Sequence, residues 1–418
     1  MSKLKRGGVV RRSGPFFAVL CTLAVVSAAC GSSSTGSGST GTTNGTGTTS
    51  ASGGAFTLAK PLKIVGFWEI KGESTVAIDD FQNAATLALD DVNKKGGVGG
   101  KPVELVRVAN PVLDPQKAVA AYLKALDANP GVIIGGGGST NAISQQVARG
   151  GVALVSPDTN ANVEFGAKQG SDNMWLFSGG QAEGWKAATR YAVEDLGLKK
   201  LGFMGYTIPF GSVARTAVKE QATASGATIV ADEEMPLPAQ DLTQQILAMR
   251  GANMIFDASY QNDNALQLRQ TKQNNVAVPS MFQGGLTIAV NQKLVTGDVL
   301  NNAYAFADCD PLSADPAMTA FRDSYKTAHG SNPSYLAAIT YDLVHFVAEV
   351  AKTAQSSDPG KMNSAIPNTH YDGICQKDYH ADGAHLILHH PQILKFSSDG
   401  SWKSVKVYNE PDKNKGAS

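Results

Sequence analysis

Short apolar runs alternate with amphipathic segments along most of the chain. Leu62 to Trp68 is a β-type apolar run, and residues 79–95 follow with apolar side chains at helical spacing. Gly96 and Gly97 end that helix, and residues 103–108 form the next apolar run. Strands that alternate with helices predict parallel sheets with helices on both faces, which is an α/β fold.

The alternation continues through a second unit of similar rhythm and ends in a helical and β-rich tail. The predicted strands are 132–134, 152–155, 174–177, 201–206, 228–235, 254–258, 278–282, 302–307, 385–396 and 402–408. The predicted helices are 114–126, 141–148, 181–196, 211–224, 241–249, 262–273, 288–294, 315–328, 334–354 and 359–366. Two α/β units in succession predict two lobes, a number that the length of 418 residues allows.

A glycine-rich turn follows the strand 132–134 and is the first candidate for chemistry. Gly135 to Gly138 let the backbone approach a ligand closely, and Ser139 is predicted to cap the next helix. The neighbouring strand ends in Ser156, Asp158 and Thr159. Ligands of open α/β sheets bind outside the carboxyl ends of the strands, and helix N-termini favour anions. The sequence therefore predicts one wall of a small-molecule site here.

The N-terminus predicts export. Basic residues between Lys3 and Arg12 precede an apolar run from Pro15 to Ala29, which is typical of a secretory signal. Small residues before Cys30 are similar to a bacterial lipobox, so residues 1–30 are predicted to be a lipoprotein signal peptide with Cys30 lipidated. Residues 31–59 are then a disordered Gly/Ser/Thr tether. The alternative is ordinary signal cleavage without a lipid.

The two cysteines beyond the signal are Cys309 and Cys375. In an oxidising, exported setting we expect them to pair, which closes a long loop and adds about 4 kcal/mol of stability in the chain-entropy model. The alternative is two separate buried thiols.

Charge and motif content exclude several classes of function. Basic and acidic residues number 36 each. The sequence has no basic patch of the kind that indicates nucleic-acid binding. The glycine turn lacks the lysine of a phosphate loop. The sequence also lacks the Gly-x-Ser-x-Gly nucleophile elbow that would indicate a hydrolase. Five of the seven histidines lie between His370 and His390, and imidazole with nearby carboxylates suits zinc, but no pair has the helical His-Glu-x-x-His spacing of a zinc hydrolase. We therefore predict no metal, no cofactor and no enzymatic activity.

The order of these pieces resembles bacterial ABC-transporter substrate-binding lipoproteins of the branched-chain amino-acid (leucine-binding) type. The likeness lies in residues 62–66, the stretch from Asp91 to Lys101, residues 114–118, the Ser139 turn and Tyr341. The resemblance implies a type I periplasmic-binding-protein fold with two hinged lobes that close around a ligand. Lobe 1 is then 60–179 plus 309–384, and lobe 2 is 180–308 plus 385–412.

The resemblance also implies a set of ligand contacts. They are Ser139, Thr140, Asp158 and Thr159 for a carboxylate, Phe210 and Tyr260 for the ligand body, and Gln283. Trp68 is a further candidate from its position at the end of the first strand, with a core role as the alternative. No carboxylate stands at residues 283–285, where the family's partner for a ligand ammonium falls. Glu69, Asp158, Asp257 or Asp263 would have to take that role; otherwise the ligand is an amide or a small organic acid.

The predicted function is that of an extracytoplasmic, lipid-anchored solute-binding protein that delivers a small polar organic ligand to an ABC permease. Its predicted partners are that ligand, the permease subunits and the membrane, through Cys30. Two alternatives are a ligand sensor of the same fold that signals to a membrane receptor, and an extracytoplasmic metallohydrolase that uses the histidine-rich tail.

Overall fold

The computed structural model describes residues 56–69, 79–112, 114–157, 172–382 and 385–408. The predicted signal peptide with Cys30, the tether as far as residue 55, Asp158 and Thr159 lie outside the described residues. Across the described ranges, no helix combines the length and the apolar character needed to cross a membrane.

The first sheet has five parallel strands in the order β2-β1-β3-β4-β5. They are β1 Leu62–Trp68, β2 Val103–Ala109, β3 Val132–Gly135, β4 Leu154–Ser156 and β5 Met174–Leu176. Every residue of the central strand β3 is buried, as expected for a parallel sheet that is covered on both faces.

The second sheet has seven strands in the order β12-β11-β10-β9-β8-β6-β7. They are β6 Lys200–Tyr206, β7 Thr228–Met235, β8 Met254–Ala258, β9 Ser280–Gln283, β10 Ala303–Ala307, β11 Gln392–Phe396 and β12 Trp402–Val407. Strands β6 to β10 are parallel, whereas β11 and β12 are antiparallel and extend the sheet beyond β10.

The described helices cover both sheets. They are α1 Asp80–Lys94, α2 Pro115–Asp127, α3 Thr140–Gly150, α4 Gln181–Arg190, α5 Pro209–Ala224, α6 Thr243–Ala248, α7 Gln261–Gln273, α8 Gly285–Asn291, α9 Pro316–His329, α10 Tyr335–Ala354 and α11 Pro359–Ala365. Asp114 caps α2, because its carboxylate accepts a hydrogen bond from the Lys117 amide at 3.1 Å. Parallel strands and flanking helices confirm the predicted α/β class.

We call the first sheet with α1–α3 and α9–α11 lobe 1, and the second sheet with α4–α8 lobe 2, because these helices pack mainly within those groups. Three short segments connect the lobes, at residues 177–180, 308–311 and 388–391. Two of them are joined directly, since the Gly179 amide donates to Asp308 Oδ2 at 2.8 Å. The disulfide Cys309–Cys375 lies beside this junction and closes a loop of 66 residues.

The C-terminal region departs from the predicted pattern. Residues 385–391 do not continue β11; instead Leu386 bridges Leu176 at the edge of the first sheet. His385 has φ 61°, a left-handed conformation that is incompatible with an extended strand. The chain therefore reaches the second sheet at Gln392 rather than at residue 385. Farther back, the predicted helix 181–196 also changes form, because a π-helical turn, Tyr191–Asp195, follows α4.

Candidate functional site

A cavity of about 360 Å³ lies where the carboxyl ends of the strands in both sheets meet. Lobe 1 contributes the ends of β1, β2 and β3, and lobe 2 contributes the ends of β6, β8 and β9. The residues that line it are Glu69, Phe81, Val112, Pro115, Gly138, Ser139, Asn141, Ala142, Ile208, Pro209, Phe210, Ser259, Tyr260, Gln261, Gln283, Gly285, Ile288, Tyr335 and Leu336. Of the sequence-predicted residues, the cavity brings together Ser139, Phe210, Tyr260 and Gln283.

The glycine turn builds the lobe 1 wall. Gly135, Gly136 and Gly137 all have positive φ, of 121°, 101° and 45°. A side chain at Gly135 would place its Cβ 2.0 Å from the Phe67 carbonyl oxygen, so the two strand ends can approach only with glycine there. The turn ends in the 3-10 helix Gly137–Ser139, which presents Gly138 and Ser139 to the cavity.

Ser139 does not cap α3 as the sequence predicted. Its backbone is already helical, with φ −87° and ψ −5°, and its side chain accepts no hydrogen bond from a helix amide. The hydroxyl instead lies 2.9 Å from Asn110 Oδ1 and 2.8 Å from the Gly136 carbonyl, to either of which it can donate. Since these contacts hold the hydroxyl at the cavity wall, its lone pairs can accept from a ligand.

Thr140 is buried and does not line the cavity. Its hydroxyl donates to the carbonyl of Gly137, one helical turn back, which stabilises the glycine turn from behind. The next two residues, Asn141 and Ala142, line the cavity in its place. The predicted pair Ser139–Thr140 is thus divided between a cavity residue and a supporting residue.

Two stacked aromatic rings form the lobe 2 wall. Phe210 and Tyr260 are 5.2 Å apart between ring centroids, with an interplanar angle of 18°. Gln181 Nε2 donates to the Phe210 carbonyl at 2.8 Å, and the Tyr260 amide donates to Tyr206 Oη at 3.1 Å. These hydrogen bonds, one buried and one partly buried, hold the backbone at Phe210 and Tyr260, so the wall is preorganised.

A third aromatic ring, that of Tyr335, packs against a glycine at the end of β9. Gly284 follows Gln283 at the end of β9, and a Cβ on it would lie 2.6 Å from ring atoms of Tyr335. Only glycine therefore lets the Tyr335 ring pack against this strand end. Tyr335 begins α10, whose cap Ser334 accepts a hydrogen bond from the Ala337 amide at 3.3 Å.

Trp68 lies in the core beneath the cavity rather than on its surface. Only 2% of the residue is exposed, and it does not line the cavity. The indole packs over Gly66 and stacks on Phe81, with centroids 6.1 Å apart. Phe81 lines the cavity, so Trp68 supports the wall from one layer below.

Glu69 supplies the charge at this site. Among the described residues that line the cavity it is the only carboxylate, and they include no lysine, arginine or histidine. Asp257 is fully buried and Asp263 nearly so, and neither lines the cavity. Burial raises the pKa of both carboxyls, and Asp263 Oδ2 accepts from the Tyr206 hydroxyl at 2.5 Å. Asp263 therefore holds Tyr206, which in turn holds Tyr260.

Helix starts surround the cavity. Pro115, Asn141, Pro209, Gln261, Gly285 and Tyr335 line it from the first turns of α2, α3, α5, α7, α8 and α10. First-turn amides lack intrahelical acceptors and carry the positive end of the helix dipole. The arrangement thus favours an anion without any basic side chain.

Several lining residues were missed from the sequence, namely Phe81, Val112, Pro115, Asn141, Ala142, Ile208, Pro209, Ser259, Gln261, Ile288, Tyr335 and Leu336. A local signal existed for some of them. Proline at a first helical position marks the starts at Pro115 and Pro209, and Ser334 is a typical cap before Tyr335. Apolar residues such as Ile208 and Leu336 carry no signal that distinguishes them from core.

Two α/β lobes with a ligand-sized cavity between their strand ends define a bilobal binding protein. The chain belongs to the periplasmic binding protein family, whose model matches residues 61–400. It is therefore a solute-binding protein of the kind that works outside the cytoplasm.

Named relatives and solved structures agree with this class. The chain is similar to Leu/Ile/Val-binding protein homolog 8 of Brucella suis, with 24% identity over 341 residues, 75% of this chain and 81% of the relative. Its fold is similar to LivJ of Streptococcus pneumoniae in complex with isoleucine, with a TM-score of 0.73, 22% identity and coverage of 84% and 99%. It is also similar to a solute-binding protein of R. palustris in complex with benzoate, with a TM-score of 0.72, 17% identity and coverage of 83% and 96%.

Proposed function

We propose that the protein captures a small apolar amino acid between its lobes and delivers it to an ABC permease, from a lipid anchor at Cys30. The observation that carries this proposal is the composition of the cavity, in which helix starts, one carboxylate and aromatic rings converge. A zwitterion with an apolar side chain has one complementary group for each of these three features.

The ligand carboxylate is assigned to the lobe 1 wall. Ser139 and the first turn of α3 lie together at the end of β3 and offer backbone amides and a fixed hydroxyl. A carboxylate bound there exchanges its hydrogen bonds to water for hydrogen bonds to the protein. The positive end of the helix dipole further stabilises its negative charge. Basic side chains are not required for this mode of binding.

The ligand ammonium is assigned to Glu69, and the side chain to the aromatic wall. A buried ammonium without an ionic or hydrogen-bonding partner costs several kcal/mol, so a carboxylate at the cavity is a strong selective feature. Phe81, Phe210 and Tyr260 give the ligand body apolar surface. Relatives named Leu/Ile/Val-binding and a structural neighbour that holds isoleucine support this class, and a neighbour that holds benzoate supports the competing aromatic carboxylate.

Thermal unfolding with a ligand panel tests the proposal. Leucine, isoleucine, valine, phenylalanine, benzoate and an amide analogue are each added to the purified protein. An amino acid at about one hundred times its dissociation constant stabilises the fold by about 2.7 kcal/mol. No stabilisation by any α-amino acid, together with stabilisation by benzoate, would contradict the zwitterion and favour the aromatic acid.

The Glu69→Gln variant distinguishes the two ligand classes independently. Loss of the carboxylate is expected to weaken amino-acid binding by at least about tenfold, because the ammonium loses its ionic partner. Benzoate has no ammonium, so its affinity is expected to stay the same or to rise. Transport is tested by measuring uptake of the stabilising ligand in cells with and without the gene. The lipid anchor is tested separately, by whether Cys30→Ala releases the protein from the membrane.

A further inference from the structure

Two histidines face each other across a short antiparallel ladder in lobe 1, far along the chain from the cavity walls. Tyr371 and Tyr379 form a bridge in which each amide donates to the other's carbonyl, at 3.1 and 2.8 Å. His370 and His380 flank that bridge as the next directly opposed pair, so their side chains lie on one face. Their rings are stacked, with centroids 5.3 Å apart.

A carboxylate joins the two imidazoles. Asp378 has φ 55°, and its amide donates to Asp372 Oδ1 at 2.9 Å. Its carboxylate contacts both rings, with Oδ1 2.5 Å from His370 Nδ1 and Oδ2 3.4 Å from His380 Nδ1. His380 Nδ1 also lies 2.8 Å from the Asp378 carbonyl oxygen, so a metal would bind His380 through its outer nitrogen, Nε2. One potential ligand atom from each of these three residues lies within 4.8 Å of the others.

The backbone under this cluster is held from several sides. Asp342 accepts from the amides of Ile374 and Cys375, each at 2.9 Å, and from the hydroxyl of Tyr379 at 3.1 Å. The Cys309–Cys375 disulfide fixes the same turn covalently. On the other side, the Leu388 amide donates to the His380 carbonyl at 2.9 Å, so His380 lies in the middle of three extended segments.

We propose that His370, His380 and Asp378 form a binding site for a divalent transition-metal ion of the zinc class, separate from the solute cavity. Two imidazole nitrogens and one carboxylate oxygen are ligands that Zn²⁺ prefers, and a water completes a tetrahedral set. Tetrahedral coordination at these bond lengths spaces ligand atoms by about 3.3 Å. His370 and Asp378 are more than half exposed, at 64% and 60% of their side-chain surface, so burial does not prevent these two side chains from rotating toward that spacing.

The residues of the proposed site and of the cavity do not overlap. The proposal therefore does not depend on the identity of the transported solute. It assigns a metal-binding property to the histidine-rich stretch and no hydrolytic step.

Calorimetric titration with ZnCl₂ of the purified, EDTA-treated and dialysed protein tests the site. We expect one ion per chain with micromolar affinity. His370→Gln and His380→Gln are each expected to weaken binding by at least about tenfold, since even loss of an outer-shell partner costs about 10- to 100-fold in known sites. His329→Gln is the matched control, because His329 is an exposed histidine of lobe 1 outside the cluster. The affinity of this variant for Zn²⁺ should equal that of the parent protein.

Electron paramagnetic resonance with Cu²⁺ supplies a readout that a general loss of stability does not change. The parent protein is expected to show coupling to two imidazole nitrogens, and each single variant to one. Asp378→Asn serves as a third variant that keeps both histidines and should weaken Zn²⁺ binding while retaining the two-nitrogen signal. Absence of Zn²⁺ binding to the parent protein, or equal affinity in parent and both histidine variants, overturns the assignment.

Discussion

Ser139 and Thr140 are adjacent in the chain, yet their hydroxyls have different surroundings. Ser139 lines the cavity, whereas Thr140 donates to the Gly137 carbonyl behind it. We predict that Ser139→Ala weakens binding of the stabilising ligand by at least about tenfold, because one hydrogen bond to a charged group contributes about 1.5–3 kcal/mol. Calorimetric titration of the variant measures the effect.

Thr140→Val is the control for that substitution. Valine keeps the shape but loses the hydrogen bond to Gly137, so the free energy of unfolding should fall by about 1 kcal/mol while ligand affinity stays nearly constant. The reverse outcome, with affinity sensitive to Thr140 and insensitive to Ser139, would show that the ligand does not contact the turn as proposed.

At the residue scale, the family resemblance and chain position predicted some roles and not others. The resemblance implied Phe210, Tyr260 and Gln283, and all three line the cavity. Trp68 ends a strand, but its ring folds back over Gly66 and into the core. Strand position specifies where a backbone lies, whereas the direction of a large side chain depends on the space that its neighbours leave.

The disulfide Cys309–Cys375 is the strongest cross-link between distant elements of the chain. It closes a loop of 66 residues, for which the chain-entropy model gives about 4 kcal/mol of stabilisation. We predict that a reductant lowers the free energy of unfolding by up to about that amount, measured by chemical denaturation. A Cys309→Ser, Cys375→Ser variant should match the reduced protein and show no response to reductant; a response would locate the sensitivity elsewhere.

Asp308 is buried at the junction of two connecting segments, and burial raises the pKa of its carboxyl to about 6 from the usual 3.8. Between these values the folded state binds more protons than the unfolded state. Stability contributed by this group is therefore present at low pH and declines as pH rises through about 6, by at most about 3 kcal/mol.

The Asp308→Asn variant isolates that dependence. Asparagine can still accept from the Gly179 amide but cannot ionise. We predict that the parent protein loses stability relative to the variant as pH rises from about 4 to about 7, measured as the difference between their free energies of unfolding. A difference that is constant with pH would contradict a raised pKa, since all other titrating groups are common to both proteins.

At the element scale, the sequence predicted most helices and strands because their apolar periodicity is local. It failed where pairing is nonlocal. Residues 385–391 alternate like a strand, yet Leu386 pairs with Leu176 and His385 takes a left-handed conformation. The opposed histidines His370 and His380 are ten positions apart, and only the Tyr371–Tyr379 bridge reveals that they share a face.

At the scale of the whole molecule, ligand binding is predicted to bring the lobes closer together. Three short connections allow rigid-body rotation, and contacts to one ligand from both walls favour the closed form. We expect the radius of gyration, measured by small-angle X-ray scattering, to decrease when the stabilising ligand is added. Ser139→Ala at the same ligand concentration should show less change, and an unchanged radius in the parent protein at saturation would contradict closure.

The cavity itself could be predicted from the sequence only in part. Its lobe 1 wall follows from a glycine turn after a buried strand, which is a local signal. Its lobe 2 wall depends on the distance between the two sheets and on which helix has its first turn at the cavity. Tyr335, from a helix that packs in lobe 1, meets Gly284 of lobe 2, and no pattern within either segment indicates that contact.

The covalent loop between Cys309 and Cys375 has a consequence for the protein's survival among secreted proteases. A cut at any peptide bond between these two positions leaves both fragments tethered through sulfur, so the severed polypeptide still migrates as one species until it is reduced. A cut within α9, α10 or α11 would thus be detected only on a reducing gel.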